Sequence, residues 1–414
     1  MRIIPAHDYA CGKAGYIQIR IIQSLPKEKE TMKKQLIFKL AAGLMLLSIL
    51  AAACAPTTGS KLPAEITLGA VEDLTGRNAI YGKPIQMGID LAVKQVNQQK
   101  FLGDGVMLKV SYTDTASDTA QATTAFTKLV ANPNITTIIG PTLSTQAVAA
   151  DPLAQAAGVP VVASSNTADG ITTIGNYIFR TSLPESVVIP NTVKVTAKAF
   201  NLKKVAIIYG SDDAFTTSAE KTFKDALTGA GIQVLPEETF TLGATDFSAQ
   251  LTRIKALNPD ALVIAALSAE AAKIMVQARA MGIPASVPFI GGNGFNSLSV
   301  PQAAGAAGEG AISGSAWSLA STLPASVAFV KAFQAEYNSD PDQFAAQAYT
   351  AAWVVALAIK NAGSVDHAAV RAALAQVKDF DSPLGKFSFD ANRDPVHEPL
   401  VLIVKGGKFE AYQP

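Results

Sequence analysis

The sequence predicts an α/β protein of two lobes, each a parallel sheet covered by helices. Three observations lead there. Short β-branched runs alternate with runs whose apolar residues recur three and four apart, as parallel strands and crossover helices do. That alternation pauses once, from Phe179 to Pro190, and then restarts, which makes two similar units. Hydrophobic residues are 49% and charged residues 16% of 414, enough apolar content for two packed cores.

In the first unit, "EITLGAVEDL" from Glu65, "VMLKVSYTD" from Val106, "ITTIIGP" from Ile135 and "VPVVASS" from Val159 read as strands. "GKPIQMGIDLAVKQVNQQ", "TAQATTAFTKLVANP" and "STQAVAADPLAQAAG" read as the amphipathic helices between them. The break falls near Arg180 to Glu185. In the second unit, "KKVAIIYG" from Lys203, "ETFTLG", "DALVIAAL" from Asp260 and "VPFIGG" from Val287 are strands. "SAEKTFKDALTGAG", "DFSAQLTRIKALNP" and "AEAAKIMVQARAMG" are their helices. A glycine-rich patch, "AAGAAGEGAISGSAW", precedes two long helices, "PASVAFVKAFQAEYN" and "QFAAQAYTAAWVVALAIKNAG". A strand pair closes the chain. Parallel sheets bind ligands beyond the C-terminal ends of their strands, so two facing units place both sets of loops in one cleft.

Composition removes several function classes. The formal net charge of +1 offers no electrostatic reason for a nucleic-acid partner. Two cysteines, Cys11 and Cys54, and three histidines, His7, His367 and His397, leave no Cys/His zinc ligand set. A Ser-His-Asp triad would have to draw on His367 or His397. A metal site could be built only from carboxylates. "DANRD", Asp390 to Asp394, begins like a calcium loop but lacks its later glycine and glutamate, and reads as a hairpin turn. GxSxG, the phosphate-binding GxxxxGK[ST] and a GxGxxG after the first strand are all missing. The expectation is a binding protein without cofactor, not an enzyme.

Near the N-terminus, Met32, Lys33 and Lys34 precede a 14-residue apolar run, Leu40 to Ala53. That run is short of the roughly 20 residues a membrane span needs but suits a secretory signal. Ala51, Ala52 and Ala53 stand directly before Cys54. The stretch resembles a bacterial lipoprotein signal, in which the cysteine is lipidated, although Ala51 occupies the −3 place where leucine is usual. On this reading, residues 1–31 precede a misassigned start, 32–53 are the signal, and 54–65 tether the body to a membrane surface. A plain secretory signal or a buried apolar helix is the alternative.

Candidate site residues lie on strand-end loops. In "IIGPTLSTQAVAA", a strand ends near Gly140 and a helix begins at about Ser144. A helix start leaves N–H groups unpaired and carries partial positive charge, so with the Ser144 hydroxyl it suits a carboxylate without any lysine or arginine. At the neighbouring strand end, Ser164, Ser165, Asn166 and Thr167 cluster hydroxyls and an amide. Tyr81 supplies an aromatic wall. The second unit offers Asp212, Asp213, Phe215, Leu267, Glu270, Asn293 and Phe295.

These loops resemble the leucine/isoleucine/valine-binding proteins, the type I periplasmic solute-binding family of ABC importers. The resemblance runs from Ile66 to about Tyr412 through "LTGRNAIYG", "IIGPTLSTQAVAA", "GVPVVASSNT", "DFSAQLTRIKALNPDALVI", "QARAMGI" and "AAQAYTAAWVVALAI". It implies two Rossmann-like lobes joined by a three-crossing hinge, with 66–183 and 316–396 in the first and 184–315 and 397–414 in the second. It also implies closure on an amino acid, an ABC permease and ATPase as partners, and an extracytoplasmic location. Ser144 then matches the serine on the ligand's α-carboxylate, Ser165 and Thr167 match contacts to carboxylate and amine, and Tyr81 and Phe215 match aromatic lining. Asn293 stands where that family has a glutamate facing the α-ammonium, and Leu267 where it has a tyrosine. Ala116 and Leu143 replace its disulfide cysteines. Either Asp212 or Asp213 supplies the missing anion, or the ligand lacks a free amine. A sensor for amides or organic acids on the same fold is the alternative function.

Overall fold

The computed structural model describes residues 62–413. Expectations about the leader, Cys54 and the start of the tether lie outside these residues. The first lobe is built on a parallel sheet of β1 (Glu65–Glu72), β2 (Met107–Asp114), β3 (Ile135–Ile139), β4 (Val161–Ala163) and β5 (Ile178–Arg180). Its order is β2-β1-β3-β4-β5. β3 is buried at every residue, as a strand covered on both faces must be. Helices α1 (Ala79–Gln98), α2 (Thr119–Val130) and α3 (Ser144–Ala157) make the crossovers. Gly82 of α1 lies so close to the end of β1 that a Cβ there would come within 2.1 Å of the Asp73 carbonyl oxygen. This contact brings Tyr81 next to the strand ends.

The chain then enters the second lobe through α4 (Glu185–Phe200), followed by β6 (Lys204–Gly210), α5 (Ala214–Gly229), β7 (Gln233–Val234), β8 (Glu238–Phe240), α6 (Ser248–Leu257), β9 (Ala261–Ala265), α7 (Ser268–Ala280), β10 (Phe289–Gly291), α8 (Ser299–Ala304) and β11 (Ile312–Ser315). β7 pairs with the start of β6 and β8 with its end, so the two occupy one sheet position, interrupted around Pro236. A proline has no N–H for the ladder. Returning to the first lobe, the chain forms α9 (Pro324–Tyr337), α10 (Gln343–Ala362), α11 (His367–Leu374) and a hairpin of β12 (Phe380–Ser382) and β13 (Gly385–Phe387). It crosses a third time into β14 (Leu400–Lys405) and β15 (Lys408–Ala411), which add antiparallel strands to the β11 edge of the second sheet. Two lobes of largely parallel sheet joined by three crossings are the architecture read from the sequence.

The structure corrects the sequence reading in places. The pause at Phe179 to Pro190 holds the end of β5 and the start of α4, a helix the sequence reading did not assign. Pro190 sits inside that helix, and Pro184 precedes it at the N-cap. The glycine-rich patch covers the end of α8 and all of β11. α10 is buried around most of its circumference because α1, α11 and the first sheet surround it. Its alanines let those neighbours approach closely. "DANRD" is a hairpin turn, in which Asp390 Oδ1 accepts from the Asn392 and Asp394 N–H groups.

Candidate functional site

β1 delivers two buried carboxyl groups, Glu72 and Asp73, to the cleft end of the first sheet. Glu72 accepts from Thr142 Oγ1 at 2.6 Å, and the Asp73 N–H donates to the same Thr142 oxygen at 3.0 Å. Asp73 also accepts from Thr115 and from Gln146 Nε2, the latter at 2.7 Å. Burial holds both carboxyl groups above their ordinary pKa. The turn from Pro141 to Leu143 is thereby fixed against β1. The loop after β4 is laced to it as well: Ser165 Oγ donates to the Thr142 carbonyl at 2.5 Å, and Asn166 Nδ2 to the Pro141 carbonyl at 2.9 Å.

Ser144 opens α3 as its first helical residue, and the N-cap is Leu143, whose side chain has no oxygen with which to cap the helix. The first-turn N–H groups are those a helix leaves without internal partners. Ser144 is 1% exposed, and its Oγ accepts from the Thr167 and Ala168 N–H groups, each at 3.2 Å. A hydroxyl has two acceptor positions and one proton. With both acceptor positions filled, the proton of Ser144 is left to donate.

From the second lobe come Phe215 in the first turn of α5, Leu267 at the N-cap of α7, and Asn293 and Gly294 after β10. Gly294 passes tightly over the neighbouring strand end, since a Cβ there would lie 2.2 Å from the Ala266 carbonyl oxygen. Asn293 is held at every polar atom. Its N–H donates to Glu185 Oε1 at 3.1 Å, its Nδ2 donates to the Ser165 carbonyl at 3.1 Å, and its Oδ1 accepts from Gln343 Nε2. Gln343 is fixed in turn by Ser315 Oγ and the Ala316 N–H, both donating to its Oε1. Glu185 is wholly buried, and burial pushes its pKa up to about 7.

The lobes are closed on each other. The Tyr81 hydroxyl accepts from the Ser268 N–H and Oγ, both at 2.7 Å, and donates to the Gly294 carbonyl at 3.2 Å. Phe344 of α10 packs against the Tyr81 ring at a centroid distance of 4.9 Å. Thr145 Oγ1 donates to Asp213 Oδ2 at 2.7 Å and accepts from the Ala214 N–H at 2.8 Å. The Asp169 N–H donates to Ser218 Oγ at 2.9 Å. Between the lobes lies a cavity of about 20 Å³, lined by Tyr81, Ser144, Ser165, Asn166, Phe215, Leu267 and Asn293 together with Thr142, Leu143, Gly294 and Phe344. That is room for about one water molecule.

Seven of the eight ligand residues expected from the sequence therefore share one cavity wall. Thr167 lies behind it, with its N–H on Ser144 and its hydroxyl directed to Glu185 at 3.3 Å. Asp213 caps α5 by accepting from the Thr216 N–H, and Asp212 accepts from the Leu242 N–H. Neither lines the cavity. Thr142 and Leu143 belong to the same turn as Ser144 and could have been read with it. Phe344 gave no signal, because α10 is apolar on nearly every side.

The sequence profile of the family described as "Periplasmic binding protein" matches residues 65–408. The chain belongs to the periplasmic binding protein family. This is a family of solute-binding proteins rather than enzymes, and membership implies an extracytoplasmic place of work. Leu/Ile/Val-binding protein BraC3 of Rhizobium johnstonii is 30% identical over 82% of this chain and 91% of its own length. The leucine-, isoleucine-, valine-, threonine- and alanine-binding protein of Pseudomonas aeruginosa is 28% identical over 80% of this chain and 87% of its own. Among solved structures, LivJ of Streptococcus pneumoniae in complex with isoleucine is 32% identical, with a TM-score of 0.78, covering 84% of this chain and 100% of that one. An ABC-transporter solute-binding protein from R. palustris in complex with benzoate is 27% identical, with a TM-score of 0.75, covering 84% of this chain and 95% of that one. No described helix is long and apolar enough to cross a membrane.

Proposed function

We propose that this chain delivers an amino acid, branched-chain or a related carboxylate, to an ABC permease and its ATPase. The observation that carries this reading is the α3 start. It meets the cleft with no capping oxygen and with a Ser144 proton free to donate. A carboxylate placed there receives first-turn N–H groups and that hydroxyl, and its charge is favoured by the helix dipole. Ser165 and Asn166 complete the first-lobe wall, and Thr167 acts by orienting Ser144. Tyr81, Phe215 and Leu267 enclose the apolar part of the ligand. The solute enters with the lobes apart, binds the first lobe, and is covered as the second lobe swings in about the three crossings. Closure removes water and strengthens the polar contacts.

The benzoate complex of the R. palustris relative supports a second reading, in which the ligand is an aromatic acid on the same carboxylate cradle. Residues 66–183 with 316–396 and 184–315 with 397–414 would move as the two rigid lobes. Cys54 would carry the lipid that anchors the body to the membrane, and Cys54→Ser would then release the protein from the membrane fraction. A thermal-shift screen of amino acids and aromatic acids tests the ligand class, because a ligand bound only by the folded form raises Tm. Ser144→Ala should weaken the best ligand at least about tenfold, the loss of one hydrogen bond to a charged group. Unchanged calorimetric affinity would remove the carboxylate assignment.

A further inference from the structure

Asn166 is 2% exposed and lines the cleft cavity. Its orientation is not arbitrary: the amide faces the Pro141 carbonyl at 2.9 Å, and only the Nδ2 end can donate there. The Oδ1 end is therefore turned away from that partner. Among the described residues it has no hydrogen-bond partner, and it is the one side-chain oxygen of the cavity wall in that condition. The other carbonyl oxygens along the wall each have a donor. Asn293 Oδ1 takes Gln343, the Ser165 carbonyl takes Asn293 Nδ2, the Thr142 carbonyl takes Ser165 Oγ, and the Gly294 carbonyl takes Tyr81. A buried carbonyl oxygen without a donor calls for one.

We infer that Asn166 Oδ1 accepts a hydrogen bond from an amine on the ligand, so that this one residue separates amino acids from bare carboxylates. The inference rests on the carboxylate reading of the α3 start and adds a second recognition point to the same wall. Ser144 offers a proton and Asn166 an oxygen on adjacent loops, which is the donor–acceptor pairing that an α-amino acid presents in reverse. Asn293 Oδ1 already accepts from Gln343 and its Nδ2 is given to Ser165, so its amide is fixed, whereas Asn166 Oδ1 has both lone pairs unused. Asn166 is a neutral acceptor, so the amine is held by a dipole and not by an ion pair.

The test is calorimetry with matched pairs: leucine, isoleucine and valine, each against the analogue in which hydrogen replaces the amino group. Wild-type protein should bind the best amino acid at least tenfold more tightly than its amine-free partner. In Asn166→Ala that preference, read as the ratio of the two affinities within the variant, should fall below threefold, because loss of the Pro141 contact weakens both ligands alike and cancels in the ratio. A preference that survives the substitution, or an equal loss for both ligands, would show that Asn166 meets water or supports the loop only, and overturns the inference. The wild-type comparison needs no variant: if the amine-free acids bind as well as the amino acids, Asn166 has no such role and the carboxylate reading still stands. If neither set binds, the branched-chain reading fails and this inference fails with it, while an aromatic acid on the same cradle is left standing.

Discussion

Two helix starts meet at the cleft, α3 from the first lobe and α5 from the second, and they are finished differently. α5 carries Asp213 at its N-cap, whose carboxylate accepts from the Thr216 N–H and from Thr145 Oγ1. α7, the other second-lobe helix on the cavity wall, has Glu270 in its first turn, and its Ser268 N–H is taken by Tyr81. α3 has Leu143 at its N-cap and no acidic residue in its first turn. An anion at a helix start typically stabilises by 0.3–1 kcal/mol. The second lobe supplies its own anions, and in the proposed reading the first lobe leaves that place to the solute. That reading sets a direction on the bound molecule, with its carboxylate toward α3.

Making the two starts alike is the strongest way to break this comparison. Leu143→Asp gives α3 the cap that α5 has and puts a carboxylate where the solute's belongs. Affinity for the best carboxylate should fall by about a hundredfold, equivalent to about 2.7 kcal/mol, read by calorimetry. A smaller loss than that of Ser144→Ala would show that the α3 start is not the anion site.

The α4 start sharpens the contrast through pH. Glu185, its first residue, is buried, and its folded pKa of about 7 lies above the ordinary 4.5. The folded protein therefore keeps a proton that the unfolded chain releases between about pH 4.5 and 7. Stability from this group is fullest below pH 4.5, is lost as pH rises to about 7, and is level above that, a span on the order of 3 kcal/mol. Glu185→Gln should shrink the fall in Tm between pH 5 and pH 8. An unchanged profile would mean that Glu185 is charged when folded.

Asp213→Ala should have the smallest effect. It removes the α5 cap and the Thr145 contact between lobes, costing about 1 kcal/mol of stability. Carboxylate affinity should change less than threefold, because Asp213 stands outside the cavity wall. A tenfold loss would make it part of the site.

The sequence carried the alternation of strands and helices, the two units and most of the cavity wall, because strand-end loops are local features. It was weaker where tertiary contact decides. Proline-flanked α4 hid inside an apparent pause, and the role of Thr167 depends on a bond to Ser144 that only the fold creates. Asn293 read as a lost counter-charge, whereas its amide is locked between Gln343 and Ser165. Glu185 escaped notice because nothing in "LPESVV" announces that its carboxyl is fully buried at the crossing between lobes.

The most direct test pairs each amino acid with its carboxamide in a thermal-shift assay on the wild-type protein. The account predicts that whichever free acid raises Tm, its amide, which lacks the negative charge, does not. Equal stabilisation by acid and amide would contradict a carboxylate held at the open start of α3.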